Sequence, residues 1–341
     1  MRRSLRMRKT EGSRTLAGSL PARSTELYYR LSGGFSGTGA IKAVLMAILF
    51  AVPVAGLYGW FAYRSPSLAL TLLATILFGR YLGAVTDFYV RKNLVRNVPL
   101  GAVIGAAVAL AGLHFGWAVW IHLATQLPIL PMALNPVHLW KVIAMRNAEG
   151  IWPCHGGIIL WLVLGAQAFL VLGMTVYHGT YKLRRSSFCE NCGQWAKSTE
   201  GICYVAAGVR PNIQNRDAMK AYRGGLKAMD RDLRQHLEAK DLAYLERLGA
   251  VPGDAIAWFS LDLQSCQCGQ TNTLRLTVNC RRIDYNKVKD DAYSKEIFRQ
   301  LALSPGEAEA LRRLGQQMAP QLPMLMKERL EPDTVETVSG R

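Results

Sequence analysis

Long, nearly uninterrupted apolar runs fill the first half of the chain, and short polar connections separate them. A helix needs about 20 apolar residues to cross about 30 Å of hydrocarbon, and each run meets that length. The pattern predicts an all-α membrane bundle of four spans, at residues 41–63, 67–90, 100–124 and 157–178. The second run contains Arg80 and Asp87, so hydrophobicity alone predicts only the other three.

The second half of the chain is patterned like a water-soluble domain. Residues 255–265 and 271–279 alternate between apolar and polar positions around a Cys-Gln-Cys-Gly turn, which predicts a β-hairpin. Together with the cysteines described below, this hairpin predicts a small α+β domain at residues 182–290, with a zinc-ribbon-like β core and inserted helices.

Helical spacing recurs in three parts of this half. Residues 214–248 place apolar side chains three and four positions apart, which predicts a helical insertion that Gly224 and Gly225 interrupt. Residues 291–319 are predicted to form a helical extension, whose second helix begins at a Ser-Pro-Gly-Glu capping sequence. The proline-containing residues 320–341 are predicted to be a disordered tail.

The net charge of +17 is unevenly distributed. Residues 1–40 and 41–181 each hold 8 Lys/Arg against 2 acidic residues, whereas residues 182–341 hold 25 against 20. The excess therefore lies beside the apolar runs, where basic flanks orient membrane helices. Nucleic-acid binding is disfavoured, because the polar domain carries a net charge of only +5.

Basic connections predict the orientation of the spans. The N-terminal segment 1–40, the connection RKNLVRN at 91–97 and the exit YKLRR at 181–185 would all lie on one side of the bilayer. Cytoplasmic loops retain Lys and Arg, so both termini are predicted to be cytoplasmic. No cleavable signal peptide is predicted, because the first apolar run is longer than a signal-peptide core.

Four polar side chains within the apolar runs are candidates for function. Arg80 and Asp87 are seven positions apart and share a helix face, so they could pair inside the bundle. The alternative is that Arg80 extends toward the headgroups and Asp87 lies at the boundary. His114 and His122 make a weak metal signal without a further ligand, and hydrogen bonds to neighbouring helices are the simpler interpretation.

Small residues recur four positions apart in the second and third runs, as at Gly79 and Gly83. Small faces let helix backbones approach closely, which is how helices associate in lipid. A conduction path lined by these glycines is the alternative.

Two cysteine pairs are the most specific signal in the polar half. They predict a structural zinc site with four thiolate ligands, Cys189, Cys192, Cys266 and Cys268. Glycine follows each pair and permits positive φ in the turn, where backbone N–H groups could point at the sulfurs. The alternatives are four reduced thiols without a metal, or an exposed redox pair.

Further cysteines leave the choice of ligands open. Cys203 and Cys280 lie in apolar or strand-like surroundings, where buried free thiols are common, yet either could replace a ligand. The second pair is spaced by one residue instead of the usual two. A cytoplasmic location disfavours structural disulfides.

We find no known catalytic motif in the sequence. Glycine-rich residues 32–42 lack the Lys-Ser/Thr that a phosphate-binding loop needs, and no HExxH or GxSxG motif occurs. The sequence therefore leaves enzymatic activity uncertain and favours a non-enzymatic protein.

Four segments together resemble one protein family: YYRLSGGFSGTG at 28–39, KNLVRN at 92–97, the region between Trp140 and Trp152, and FCENCGQW at 188–195. They are similar to an uncharacterised family of bacterial membrane proteins that place a cytosolic zinc-ribbon-like segment after several spans. The resemblance implies a bacterial plasma (inner) membrane. It implies no activity.

These features predict a membrane-anchored, zinc-ribbon-like module that docks a cytosolic protein partner, with the lipid bilayer around its bundle. A homo-oligomer is compatible with the small-residue faces. The first alternative is a subunit of an oligomeric transporter or channel, in which Arg80, Asp87, His114 and His122 face inward together. A membrane-embedded enzyme is the third hypothesis.

Overall fold

The structure is a computed structural model that describes residues 27–65, 67–149, 157–207, 216–249, 251, 255, 257–284 and 287–318. Most of the basic N-terminal segment, Cys154 and the predicted tail at 320–341 lie outside the described residues.

Four helices are long and apolar enough to cross a membrane: α1 (Gly37–Arg64), α2 (Leu68–Lys92), α3 (Val98–Thr125) and α6 (Ile158–Arg185). They correspond to the four predicted apolar runs. Side chains of Ser36, Ser67 and Asn97 accept hydrogen bonds from backbone N–H groups in the first turns of α1, α2 and α3. These caps satisfy N–H groups that have no partner within the helix.

Close backbone contact holds the long helices together, with α1 against α3 and α2 against α6. A Cβ atom at Gly79 would lie 2.9 Å from the Cβ of Met174, and one at Gly83 would lie 2.6 Å from the Cβ of His178. Side chains at these positions would push α2 away from α6. The packing interpretation of the glycines is therefore supported by these contacts.

Two shorter helices, α4 (Ile129–Leu134) and α5 (Pro136–Glu149), connect α3 to α6. Buried Met132, Leu139 and Ile143 pack with residues of α3 and α6 in one apolar cluster. The connection therefore covers one end of the bundle.

The polar half forms a four-stranded antiparallel sheet of β3 (Lys197–Ala206), β4 (Ala257–Ser265), β5 (Asn272–Asp284) and β6 (Lys287–Leu303), in that order. Helices α7 (Arg216–Glu238), α8 (Ala243–Leu248) and α9 (Pro305–Met318) pack over its apolar face. Alternate residues of β4, including Phe259 and Leu261, are fully buried beneath these helices. The predicted hairpin around the Cys-Gln-Cys-Gly turn is confirmed as β4 and β5.

The predicted helix at the start of the C-terminal extension is wrong, because residues 287–303 form strand β6. Phe298 pairs with Leu276 and Leu301 with Leu274, so β6 has one residue more than β5 between these pairs. The extra residue makes a bulge, in which Gln300 adopts a φ of 60°. Apolar side chains thus recur three apart within a strand, which imitates helical spacing.

The remaining helix predictions in this half agree better with the structure. Two helices, α7 and α8, occupy the predicted insertion, but Gly224 and Gly225 do not interrupt α7. At α9 the Ser304 hydroxyl accepts a hydrogen bond from the Glu307 N–H, and the Glu307 carboxylate accepts one from the Ser304 N–H. The predicted capping sequence is therefore confirmed.

Candidate metal centre

The first cysteine turn follows α6 directly. Strands β1 (Phe188–Cys189) and β2 (Gln194–Trp195) pair in antiparallel fashion and place Cys192 in the turn between them. Gly193 has a φ of +65°, as its position predicted, and its N–H donates to the Cys189 carbonyl at 2.9 Å. The glycine therefore shapes the turn, but its N–H bonds a carbonyl and not a sulfur.

The second cysteine turn joins β4 to β5, where Ser265 and Asn272 close the hairpin. Gly269 has a φ of +71°, and its N–H donates to the Cys266 carbonyl at 3.1 Å. The Thr271 N–H donates to the Sγ atom of Cys266 at 3.2 Å. This is the N–H···S contact that the sequence predicted, although Thr271 makes it and the glycine does not.

The two turns meet, although 73 residues lie between Cys192 and Cys266 in the sequence. The Sγ atoms of Cys189, Cys192, Cys266 and Cys268 all lie within 4.8 Å of one another. The Sγ atom of Cys268 lies 3.4 Å from the Sγ atom of Cys189 and 3.2 Å from the Sγ atom of Cys266. Four zinc–sulfur bonds of about 2.3 Å in a tetrahedron place sulfurs about 3.8 Å apart, so this arrangement is close to what such an ion needs.

Electrostatics in the cluster favour one thiolate and oppose a second. Burial raises the pKa of Cys189, but hydrogen bonds from the Thr271 side chain, the Cys192 backbone and neighbouring thiols outweigh it and lower this pKa to about 6. Burial, and then the neighbouring sulfurs, raise the pKa of Cys266. A bound cation relieves the repulsion between adjacent thiolates, so the donor set fits a soft divalent metal ion.

Neither additional cysteine in the described residues joins the four. The Cys203 thiol lies in the domain core, donates to Met318 Sδ at 3.6 Å, and has its pKa raised to about 12 by burial. Cys280 pairs with Ala257 in the β4–β5 ladder, at the end opposite the Ser265–Asn272 pair. The residues predicted as ligands are therefore the four that the fold brings together.

The first cysteine turn rests on the connection between α2 and α3, a contact that the sequence did not predict. Trp195 Nε1 donates to the Arg91 carbonyl at 3.0 Å. Arg96 forms an ion pair with Glu190 and lies 4.6 Å from the Phe188 ring centroid. The resemblance grouped these two segments, but nothing in their residues showed that they touch.

The N-terminal segment adds to the same contact. The Tyr29 hydroxyl donates to the Phe188 carbonyl and accepts from the Phe188 N–H, both at 2.9 Å. Tyr28 forms an isolated antiparallel bridge with Leu301 of β6. The N-terminal segment, the connection at 91–97 and the turn that follows α6 therefore contact one another at one end of the bundle.

The polar residues inside the bundle do not converge. Asp87 forms an ion pair with Arg91 at 3.0 Å, whereas Arg80 is exposed on α2, so the suggested Arg80–Asp87 pair is wrong. A ring nitrogen of His114 lies 2.9 Å from the Ala133 carbonyl oxygen. His122 makes the equivalent contact at 2.6 Å with the Leu127 carbonyl. The interpretation of both histidines as hydrogen-bonding residues is supported.

No protein-family model, no curated protein and no solved structure matches this chain. The resemblance to bacterial multi-span proteins therefore stays a prediction.

Proposed function

We propose that this chain is a multi-pass protein of the bacterial inner membrane whose cytosolic domain is fixed to its membrane bundle by a structural zinc site. The observation that carries the proposal is the convergence of four thiols from two turns, one of which rests on the bundle. Thiolate sulfurs are ligands that zinc prefers, and four of them make a closed, structural site.

The ligand residues divide between two parts of the fold. Cys189 and Cys192 belong to the turn that touches the α2–α3 connection, and Cys266 and Cys268 belong to the tip of the central hairpin. A metal bound to both pairs supplies a cross-link between the sheet and the bundle. Gly193 and Gly269 give the turns their shape, and the Thr271 N–H fixes the orientation of the Cys266 sulfur. The two short cysteine turns are the reason for the zinc-ribbon-like interpretation.

The orientation part of the proposal rests on charge. The α2–α3 connection and the end of α6 are rich in Lys and Arg and lie at the same end of the bundle as the sheet domain. Basic connections stay in the cytoplasm, so the domain is proposed to be cytosolic.

The proposal includes docking of a cytosolic protein partner on helix α7. Helix α7 buries Leu233 and Leu237 against the sheet and leaves charged residues such as Lys227 and Arg231 exposed. A domain held in one orientation at the membrane presents such a face constantly to the cytosol. A photo-crosslinking residue at Lys227 should then give a discrete product in intact membranes, and the same residue at Lys182 should not. A diffuse or identical pattern at both positions would argue against docking on α7.

The transporter alternative gains no support from the described residues. It requires Arg80, Asp87, His114 and His122 to face inward together, whereas Arg80 is exposed and the histidines bond carbonyl groups. No observation favours a membrane-embedded enzyme.

The experiment that tests the zinc proposal uses the full chain, extracted from membranes in mild detergent without chelator. We expect one zinc per chain by elemental analysis, loss of zinc in the Cys266→Ser variant, and full zinc content in the Cys280→Ser control. Less than half an equivalent in the wild type, or equal zinc in both variants, would sink the proposal.

The topology is tested separately in sealed cells. A membrane-impermeant thiol reagent should label Cys154 from outside, because both termini and the sheet domain are proposed to be cytoplasmic. Labelling of Cys154 only from the cytoplasmic side would reverse the proposed orientation.

A further inference from the structure

A groove of about 630 Å³ runs along the outer face of α6 and ends beneath the sheet domain. The part farther from the sheet domain is apolar, with Phe169 and Val176 among the lining residues. The part next to the sheet domain is basic and is formed by Arg184 and Arg185 of α6 and by Arg299 of β6. The groove therefore joins a membrane-depth surface to a cationic surface at the helix end.

The length of the groove along α6 matches the thickness of one leaflet of a bilayer. Phe169 and Arg184 are 15 positions apart on α6, which spans about 22 Å at 1.5 Å per residue. Half of the hydrocarbon core is about 15 Å thick, so an apolar chain lying beside Phe169 has its headgroup near the arginines. Tyr177 and Tyr181 lie between, at the level where aromatic rings collect in membrane proteins.

A notch in the apolar part has room for a hydrocarbon chain. Gly173 lies one helical turn from Phe169 and one from Tyr177, and a Cβ atom at Gly173 would meet nothing within 4 Å. Phe169 is 77% exposed and Tyr177 is 57% exposed, so their rings form the sides of an open channel.

The basic part carries an excess of positive charge. Glu296 forms ion pairs with Arg185, at 3.2 Å, and with Arg299. Within the described part of the chain, Arg184 forms no ion pair. Three guanidinium groups thus face one carboxylate, which leaves two positive charges at the headgroup end. Arginine binds phosphate oxygens with several directed N–H groups.

Because the groove combines an acyl-sized apolar channel with a cationic end, we infer that it binds one anionic phospholipid of the leaflet on the domain side. Basic pockets beside membrane helices on the cytoplasmic side recognise acidic lipid headgroups in this way. A second copy of this chain fits less well, because two such basic surfaces repel each other. The inference rests on the proposed membrane location of the bundle, and it gives the sheet domain a second attachment to the membrane through Arg299.

Native mass spectrometry of the full chain in detergent tests the inference, because it resolves bound lipid, bound zinc and oligomeric state together. We expect one phosphatidylglycerol to bind in preference to phosphatidylcholine. Arg184→Gln and Arg299→Gln should each weaken this binding about fivefold, the effect of one surface cation on anionic lipid. Lys182→Gln removes a charge from the same helix end outside the groove and should leave binding unchanged.

A second pair of variants tests the apolar channel. A Cβ atom at Gly173 or at Gly165 would meet nothing within 4 Å, and only Gly173 lines the groove. Gly173→Leu should therefore occupy the notch and abolish lipid retention, whereas Gly165→Leu should not. Equal binding of the two lipids, equal effects of the test and control variants, or a lipid-free dimer blocked by Gly173→Leu would overturn the inference. Displacement of the lipid by inorganic phosphate would assign the site to free phosphate instead. If these lipid-binding tests fail while membrane-extracted protein still contains zinc, the inference is overturned and the proposed function stands.

Discussion

The contact between α2 and α6 makes a direct prediction about Gly83. A Cβ atom at this position would lie 2.6 Å from His178 Cβ, 3.1 Å from the Thr175 carbonyl oxygen and 3.2 Å from the Gly179 nitrogen. Ordinary contact begins at 3.4 Å, and backbone or Cβ atoms cannot rotate away. The Gly83→Ala substitution must therefore move the two helices apart by most of an ångström.

The expected magnitude follows from two opposing effects. Overpacking costs about 1–3 kcal/mol, whereas replacing glycine by alanine inside a helix stabilises it by about 1 kcal/mol. Gly165 on α6 supplies the matched control, because a Cβ atom there would meet nothing within 4 Å. Gly165→Ala should gain the helix stabilisation without the clash. The two variants should differ by about 1–3 kcal/mol, with Gly83→Ala the less stable.

Reversible unfolding of the purified full chain in mixed micelles measures this difference, with tryptophan fluorescence following the loss of packing. Equal free energies of unfolding for Gly83→Ala and Gly165→Ala would refute the close packing of α2 on α6. A stable Gly83→Ala protein would also weaken the argument that small residues in the second and third spans exist to bring helices together.

Three further predictions concern the sheet domain. A Cβ atom at Gly315 would fall on the Ile202 carbonyl oxygen, so Gly315→Ala should destabilise the domain by about 3 kcal/mol in thermal unfolding, while the unobstructed Gly306→Ala should be nearly neutral. Cys203 should resist alkylation in the folded protein whether or not metal is present, whereas the exposed Cys268 should react once a chelator removes the proposed zinc, as peptide mass spectrometry would show. Because burial raises the pKa of Cys203 from 9.0 to about 12, its contribution to stability is complete below pH 9 and is lost as pH rises toward 12. Cys203→Ala should therefore lose less stability than the wild type over that range, and parallel curves would contradict the assignment of this thiol to the core.

Local patterns predicted much of this structure. The four apolar runs correspond to helices because length and hydrophobicity decide whether a segment can cross a bilayer. The four cysteines converge as predicted because each pair lies in a short turn that glycine shapes locally. The start of α9 was predicted because the Ser304 and Glu307 side chains bond backbone groups only three positions away.

The predictions were wrong where the same residue spacing in the sequence can arise from two different structures. Phe298 and Leu301 are three apart because of a β-bulge, and helical spacing looks the same in sequence. Asp87 shares a helix face with Arg80, seven positions before it, and with Arg91, four positions after it, and the ion pair forms with Arg91. The contact of Trp195 with Arg91 joins segments distant in sequence, and single-residue patterns carry no signal for it.

The proposed zinc site of Cys189, Cys192, Cys266 and Cys268 is the central claim to test. X-ray absorption at the zinc edge on the full chain, purified without chelator, measures the element, its ligand type and its bond lengths in one experiment. We expect one zinc with four sulfur neighbours at about 2.3 Å. A metal other than zinc, nitrogen or oxygen in the first coordination sphere, or protein that binds no metal would contradict the account.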